Sequence, residues 1–561
     1  MRLTLRLTFL LIALVAIAPA SALGSDVIVV GSDGSTRHAD DPLLPPPAAI
    51  DPTGGEAWCA ADGRRARKFE PLPAVRSART TVKSALASAR KDGSISDADY
   101  ARYRDDYSQA RSTLGRLSGT ERTEQKAVID TLEAIAGRKQ LTASRMPSLF
   151  LTLSRNTEYW GSNKPLPVAP PPPGDAKKRP CAGEAGQGGA RVTFEGDPVI
   201  FQWYRGRGLQ IQPLANFGQA NGLYQRCKDT TPDPEKPCDR DALKQTLDRL
   251  ADLASNRGGF KTWEYYFAFG GGAPPWTSGL SQGTAIQAFA RGFELLGDER
   301  YKQVGRDALG AFETRPPVGV RVPSNGGSHY LIYSMSPGLR VLNGFLQATT
   351  GLYDFATLTG DARAMRLFKA GDKAARREIP RFDTGAWSLY SQGGRESDLG
   401  YHRLVRDFLD NLCDRTKTPV YCRTATKFTN YQRERPVVKV VTPKGARAKK
   451  PVMIRFNLSK VSCTKVTVVR NPAPVAPPPP QPDPQPPEEQ VPGETQPTDP
   501  VSGGVTPAAS PQTVFTRQVV FGRGGHALQW TPRKPGKYAA SVEAIDLNNH
   551  KVVVEVRFEV K

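Results

Sequence analysis

Apolar positions recur along this chain with several different periods, and each change of period marks a change in the structure to be expected. The N-terminus holds an unbroken apolar run from Phe9 to Ala18, preceded by Arg2 and Arg6 and closed by Ala20-Ser21-Ala22, the form of a secretory signal peptide with a small-residue cleavage site. That run is about half the ~20 residues a bilayer span needs, so a single membrane-anchoring helix is the lesser alternative, and no later segment is apolar enough to cross. Residues 1–22 are therefore expected to direct export, to a secreted, cell-surface or periplasmic location. Residues 23–75 contain Pro and Gly without a sustained period and are expected to form an extended leader. Over 76–155 the period becomes helical, with Asp97 to Leu117 and Thr120 to Ile135 punctuated by Gly119 and Gly137. Pro170 to Pro173 then form a stiff spacer.

Between Arg191 and Leu214, Val192-Thr193-Phe194 and Val199 to Tyr204 predict short strands interrupted by Gly196 and Pro198. From Asp241 the helical period returns. Leu243, Leu247, Leu250 and Ala254 share one face, as do Ile286, Phe289, Ala290, Phe293 and Leu296. Further faces carry Leu342, Phe345, Leu346, Thr349 and Leu352, and then Leu404, Val405, Phe408, Leu409 and Leu412. Serial amphipathic helices joined by Gly- and aromatic-rich loops predict an (α/α) toroid or barrel over 190–415, led in by the short strands. From Pro436 onward, Val437 to Val441, Val452 to Phe456, Lys465 to Val469 and three later runs predict an immunoglobulin-like β-sandwich over 436–561. Its middle, 471–511, is rich in Pro, Gln, Thr and Gly and is expected to be a disordered loop. The chain is thus multidomain and mainly α.

Composition adds charge and redox information. A formal net charge of +22 attracts anions, and for an exported chain without a nucleic-acid motif the expected partner is an acidic, uronate-containing polysaccharide. Solvation of the surface by Lys and Arg is the bland alternative. Seven cysteines in an oxidising compartment allow disulfides, with Cys227 to Cys238 and Cys413 to Cys422 as local pairs and Cys463 as a candidate spare thiol. No cysteine pair has metal-ligand spacing, and no phosphate-cradling Gly motif follows a strand, so neither a metal nor a cofactor is expected. The oligomeric state is not written in the sequence.

Several ordered fragments then stand out. They are Pro274-Pro275-Trp276 leading to Ser278-Gly279-Leu280-Ser281-Gln282-Gly283, Val341-Leu342-Asn343-Gly344-Phe345, Gly351-Leu352-Tyr353-Asp354, Asp383-Thr384-Gly385 with Tyr390, and Tyr401-His402. In order and rough spacing they resemble the C-terminal domain of the D-glucuronyl C5-epimerases, the heparosan and heparan glucuronate 5-epimerases. The resemblance implies inversion at C5 of uronic acids within a polymer. It nominates Tyr333, Tyr390, Tyr401 and His402 as catalytic, and Trp276, Gln282 and Tyr265 as substrate-binding, and Arg395 and His329 join the substrate-binding candidates as substitutes where the chain departs from the family pattern.

Inversion at C5 needs one group to remove a proton beside a carboxylate, another to return a proton on the opposite face, and cations to hold the charge that develops. Tyrosine serves if neighbouring positive charge lowers its pKa from ~10. Two departures from the family pattern stand in this chain. The run ending at Tyr333 reads His329-Tyr330-Leu331-Ile332-Tyr333, so Ile332 occupies the position of the family's proton-transfer glutamate, and His329 is the nearest replacement. After Tyr390 comes Ser391-Gln392-Gly393 in place of a cation-supplying run, which turns attention to Arg395 or Arg403. Three alternatives remain. One is a uronate lyase using the same proton abstraction. Another is an inverting glycosidase with Glu264 and Asp354 or Asp398 about 6.5–9.5 Å apart. The third is a glycan-binding pseudoenzyme, which Ile332 favours.

Overall fold

A computed structural model describes residues 25–41, 43, 80–162, 164–168, 189–230, 234, 237–472 and 510–561. The signal peptide, most of the leader, the Pro170–Pro173 spacer and nearly all of the 471–511 loop lie outside the described residues. Two compact units are present, one drawn from residues up to 382 together with 407–422, the other from 383–406 and 423–561.

The first unit opens with β1 (Ser25–Val30) and β2 (Thr36–Asp41), two strands within the stretch whose sequence shows no sustained period. Helices α1 (Val82–Lys91), α2 (Asp97–Arg116), α3 (Gly119–Gly137) and α4 (Met146–Trp160) follow. Thr81 and Ser84 cap α1 reciprocally, which satisfies N–H groups that would otherwise lack partners at the helix start. Leu86, Tyr103, Ile129, Leu132, Leu149 and Leu153 form the core these helices enclose.

Strands β3 (Arg191–Phe194), β4 (Asp197–Tyr204) and β5 (Gly208–Ile211) complete a five-stranded sheet in the order β2-β1-β3-β4-β5. Val27 of β1 pairs in parallel with Arg191 of β3, so part of the expected leader is built into this sheet. Then come α5 (Pro213–Lys228), α6 (Arg240–Asp252), the short β6 (Ser255–Arg257) and β7 (Phe260–Thr262), α7 (Gly279–Leu296) and α8 (Glu299–Ala308). The hairpin β8 (Arg321–Ser324) and β9 (Gly327–Tyr330) leads into α9 (Leu342–Thr359) and α10 (Ala362–Glu378). α11 (Leu399–Thr416) and α12 (Pro419–Tyr431) each have residues in both units.

The motif glycines explain how α7 and α9 approach. A Cβ on Gly283 would lie 2.6 Å from Ala348 Cα, and one on Gly351 would collide with the Gly283 carbonyl, so the two backbones touch where both residues lack side chains. Among the described residues no helix is long and apolar enough to cross a membrane.

In the second unit β10 (Val438–Val441), β11 (Val452–Leu458) and β14 (Gly524–Trp530) form one sheet. β13 (Gln512–Phe521), β12 (Ser462–Arg470), β15 (Gly536–Asp546) and β16 (Lys551–Val560) form another, in that spatial order. Ile454, Phe456 and Leu458 of the first sheet and Val466, Val468, Ala540 and Val542 of the second share one core. Disulfides Cys227–Cys238 and Cys413–Cys422 are formed. Cys463, the expected spare thiol, is itself disulfide-bonded, a correction that local spacing could not have supplied because it shows only short loops.

Candidate functional site

In the first unit the candidate residues form an aromatic cluster. Tyr265 stacks on Trp276 at 4.2 Å with rings 6° apart, and Phe269 lies 5.2 Å and Trp276 5.8 Å from the ring of Tyr333. Backbone pairing between Tyr265 and Trp276 across the Gly270-Gly271-Gly272 turn holds the stack. The Tyr265 hydroxyl sits 2.6 Å from Ser281 Oγ and donates to Gln212 Oε1 at 3.1 Å, and burial raises its pKa well above the usual phenol value. Tyr265 and Trp276 are both buried, so as placed they form the backing of Tyr333 instead of a sugar platform.

Two further nominees are enclosed by their surroundings. Gln282 is fully buried; its Oε1 accepts from Thr262 and its Nε2 donates to the Lys261 and Ala308 carbonyls, which occupies both amide hydrogens. His329 has no exposed surface either. Its Nδ1 lies 2.7 Å from Glu378 Oε2, while the Ser324 hydroxyl donates to Glu378 Oε1 and Arg340 Nη1 stands 3.6 Å from that oxygen. Burial lowers the His329 pKa against the pull of Glu378. Burial opposes the Glu378 charge, but the bond from His329, the Ser324 hydroxyl and the Arg340 charge together hold the carboxyl below its usual range. The pair is thus a neutral imidazole donating from Nδ1 to a carboxylate. It anchors β9, the strand from which the chain runs on to Tyr333.

Ile332 is packed in the core. Its Cβ would be 2.8 Å from a Cβ on Gly344, so the glycine of the Val-Leu-Asn-Gly-Phe motif makes room for this β-branched side chain. Beside it, Gly279 N–H donates to the Leu331 carbonyl at 2.9 Å.

In the second unit Tyr390 and Tyr401 meet. Their rings are 4.8 Å apart, the Tyr401 hydroxyl donates to the Tyr390 carbonyl at 3.0 Å, and Tyr390 keeps partial exposure while Tyr401 is buried. Arg395 lies in the same turn, where its carbonyl accepts from Tyr390 N–H at 3.0 Å. Asp398 begins α11 by accepting from the Tyr401 backbone N–H at 2.7 Å.

His402 is buried, with both ring nitrogens engaged. The ring stacks on Trp387 at 3.7 Å, Nε2 is 2.9 Å from the Phe428 carbonyl and Nδ1 is 2.8 Å from Ser388 Oγ. A carbonyl can only accept, so Nε2 carries the proton, and Nδ1 faces the Ser388 hydroxyl, whose other neighbour is Ser397 Oγ at 2.9 Å. Burial pushes its pKa down to about 4, so the ring is neutral with both nitrogens occupied.

Sequence reasoning missed Glu378, Trp387, Ser388 and Glu396. Glu396 is buried and accepts the backbone N–H groups of Val461 at 3.1 Å and Arg523 at 2.6 Å; burial outweighs these bonds and raises its pKa. Lys460, also buried, donates to the Tyr431 carbonyl at 2.9 Å, pairs with Asp546 at 2.8 Å and lies over Trp387 at 5.5 Å. The turn carrying Tyr390 and Tyr401 is therefore fastened to the C-terminal sheets. None of these partners is near its mate in sequence, so no motif could announce them.

The carboxylates of the glycosidase alternative are committed elsewhere. Arg145 grips Glu264 at 2.6 and 2.9 Å and Arg257 adds a contact at 2.5 Å, while Arg415 holds Asp354 at 2.6 and 2.9 Å. Among the described residues no group of three His, Cys, Asp or Glu is placed to hold a metal ion.

Residues 257–430 match the family described as D-glucuronyl C5-epimerase C-terminus. This segment belongs to that family. Tyr333, Tyr390 and Tyr401 all fall inside it. Curated relatives resemble part of the chain. An uncharacterized protein of Methanocaldococcus jannaschii is 30% identical over 193 residues, which is 33% of this chain and 63% of that protein. The D-glucuronyl C5-epimerase of Caenorhabditis elegans is 31% identical over 180 residues, 28% of this chain and 29% of the worm enzyme. The chain thus spans less than two thirds of the length of either relative. Among solved structures, the cellobiose 2-epimerase of Bacillus thermoamylovorans overlaps at a TM-score of 0.30 with 11% identity, covering 52% of this chain and 72% of that one. The GH76 alpha-mannanase of Bacteroides thetaiotaomicron overlaps at 0.31 with 13% identity, covering 61% and 84%.

Proposed function

We propose that this chain is an exported C5-epimerase of uronic acid residues in an acidic polysaccharide, converting D-glucuronate to L-iduronate type residues. The observation that carries the proposal is that the segment assigned to the C5-epimerase family contains all three candidate tyrosines. One tyrosinate takes the proton from C5, the electron pair moves toward the neighbouring carboxylate, and a second tyrosine returns a proton to the opposite face. Arg395 is the nominee for the cation that holds the carboxylate. Glu396 and His402 position the Tyr390–Tyr401 turn, and the Glu378-anchored His329 positions the strand before Tyr333. On this reading the serial helices belong to an α/α toroid and the C-terminal sheets to an immunoglobulin-like sandwich, supported by their shared core.

The packing of Ile332 against Gly344 favours a second reading, a glycan-binding protein without turnover, because it leaves no acid at that position. Incubating the purified chain with a glucuronate-containing polymer in deuterated water decides between them. Deuterium at C5 with iduronate signals by NMR supports epimerisation. Unsaturated ends detected by ultraviolet absorbance would point to a lyase. Polymer binding with neither product would remove the enzymatic reading.

A further inference from the structure

The C-terminal sheets carry a concave basic surface that the proposed reaction does not use. The segment between β10 and β11 borders an open depression of about 420 Å³ lined by Lys444, Arg447, Lys450 and Arg455, with Val441 and Met453 among its apolar lining. All four cations are exposed, and none has an ion-pair partner among the described residues. The segment is fixed rather than loose in outline: Lys561 N–H donates to the Ala446 carbonyl, Ala448 N–H to the Lys561 carbonyl and Lys449 N–H to the Pro532 carbonyl.

The sheet continues the same chemistry. Along β11 the buried Val452, Ile454, Phe456 and Leu458 alternate with Met453, Arg455 and Asn457 on the outer face, as a strand's two-residue period requires. Arg455 stands opposite Val441 on one side and Ala527 on the other, and Asn457 opposite Lys439 and Gly525. The outer face of β10, β11 and β14 therefore presents cations, amides and small residues with no acidic side chain.

We infer that this surface is a second binding site, for the carboxylate groups of an anionic polysaccharide, which keeps the polymer on the protein between catalytic events. The cations match repeated carboxylates, while Val441 and Met453 suit the apolar faces of sugar rings. The lining contains no aromatic ring on which nucleic-acid bases could stack. It also lacks the large apolar residues that insert into a bilayer. The choice of polymer rests on the epimerase reading; the anion site itself rests on the sheet.

The test uses the full chain and a quadruple variant, K444Q with R447Q, K450Q and R455Q. Affinity electrophoresis measures binding of a soluble unsulfated glucuronate-containing polymer, its carboxyl-reduced neutral form, a DNA duplex and vesicles containing an anionic lipid, each over a range of salt. The expected result is that the native chain binds the acidic polymer and not the neutral one. The variant should bind it at least about tenfold more weakly, with a shallower salt dependence because fewer counterions are released. Exchange at C5 of a short oligosaccharide should be unchanged in the variant. Equal polymer binding by both proteins, no binding by the native chain, or DNA or vesicles held as tightly through these same residues would overturn the inference. Polymer binding lost in the variant but no C5 exchange in either protein would keep this site and remove the epimerase reading, so the two failures are distinguishable.

Discussion

Glu396 Oε2 accepts the backbone N–H of Arg523 at 2.6 Å, and this bond ties the turn that carries Tyr390 and Tyr401 to the connection between β13 and β14. The C-terminal sheets are consequently part of what shapes the candidate site, although they lie beyond the family segment. Replacing Glu396 by Ala strips partners from the N–H groups of Val461 and Arg523. The expected cost is on the order of 1–3 kcal/mol in urea unfolding, with a loss of C5 exchange larger than the loss of folded protein. Gln at this position keeps an acceptor and should recover part of both.

The three tyrosine hydroxyls are expected to matter for chemistry far more than for folding. Tyr333→Phe, Tyr390→Phe and Tyr401→Phe should each lower the rate of deuterium incorporation at C5 by about 10²–10⁴, measured by NMR on a glucuronate-containing polymer. A variant that retains full exchange removes that tyrosine from the proton-transfer role.

His402 predicts a pH dependence of stability. Its folded pKa of about 4 lies below the ordinary 6.5, so the unfolded chain takes up the proton first, and stability falls as pH drops from about 6.5 to about 4. The pKa of His329 is lowered in the same direction, so its contribution has the same sign. In His402→Gln the acid-side slope should shrink without vanishing, as followed by chemical unfolding at a series of pH values. An unchanged slope would contradict the occupied, neutral ring.

Restoring a glutamate at position 332 should not restore a family-like site by itself. Ile332 is buried against Gly344, so Ile332→Glu places an unpaired carboxylate in the core, at an expected cost on the order of 3 kcal/mol. Thermal unfolding and C5 exchange measured on the same preparation check this. A rise in exchange would mean that the side chain reaches the substrate and that the packing reading is mistaken.

Much of the local structure was legible in the residues. The helical period placed Leu243, Leu247 and Leu250 on the buried face of α6, because amphipathic spacing reports which side of a helix meets the core, whereas α7 is buried on every side from Gly279 to Ala290, so its apolar period marks no single face. Short loops announced Cys227–Cys238 and Cys413–Cys422. The ordered fragments also announced the family of residues 257–430.

What the sequence determined by itself is therefore what periodicity, short spacing and ordered motifs can encode: element types, local disulfides and the identity of the candidate tyrosines. Only the tertiary structure decided that Val27 pairs with Arg191, that Glu264 is held by Arg145 and Arg257, that both nitrogens of His402 are occupied and that Glu396 fastens the tyrosine turn. The physical reason is that a buried polar group's role is set by which distant partner neutralises or hydrogen-bonds it, and burial shifts its protonation accordingly. Residue type along the chain does not carry that pairing: Tyr401-His402 reads as two neighbours in sequence, and only the folded chain stacks the His402 ring on Trp387 with both nitrogens engaged.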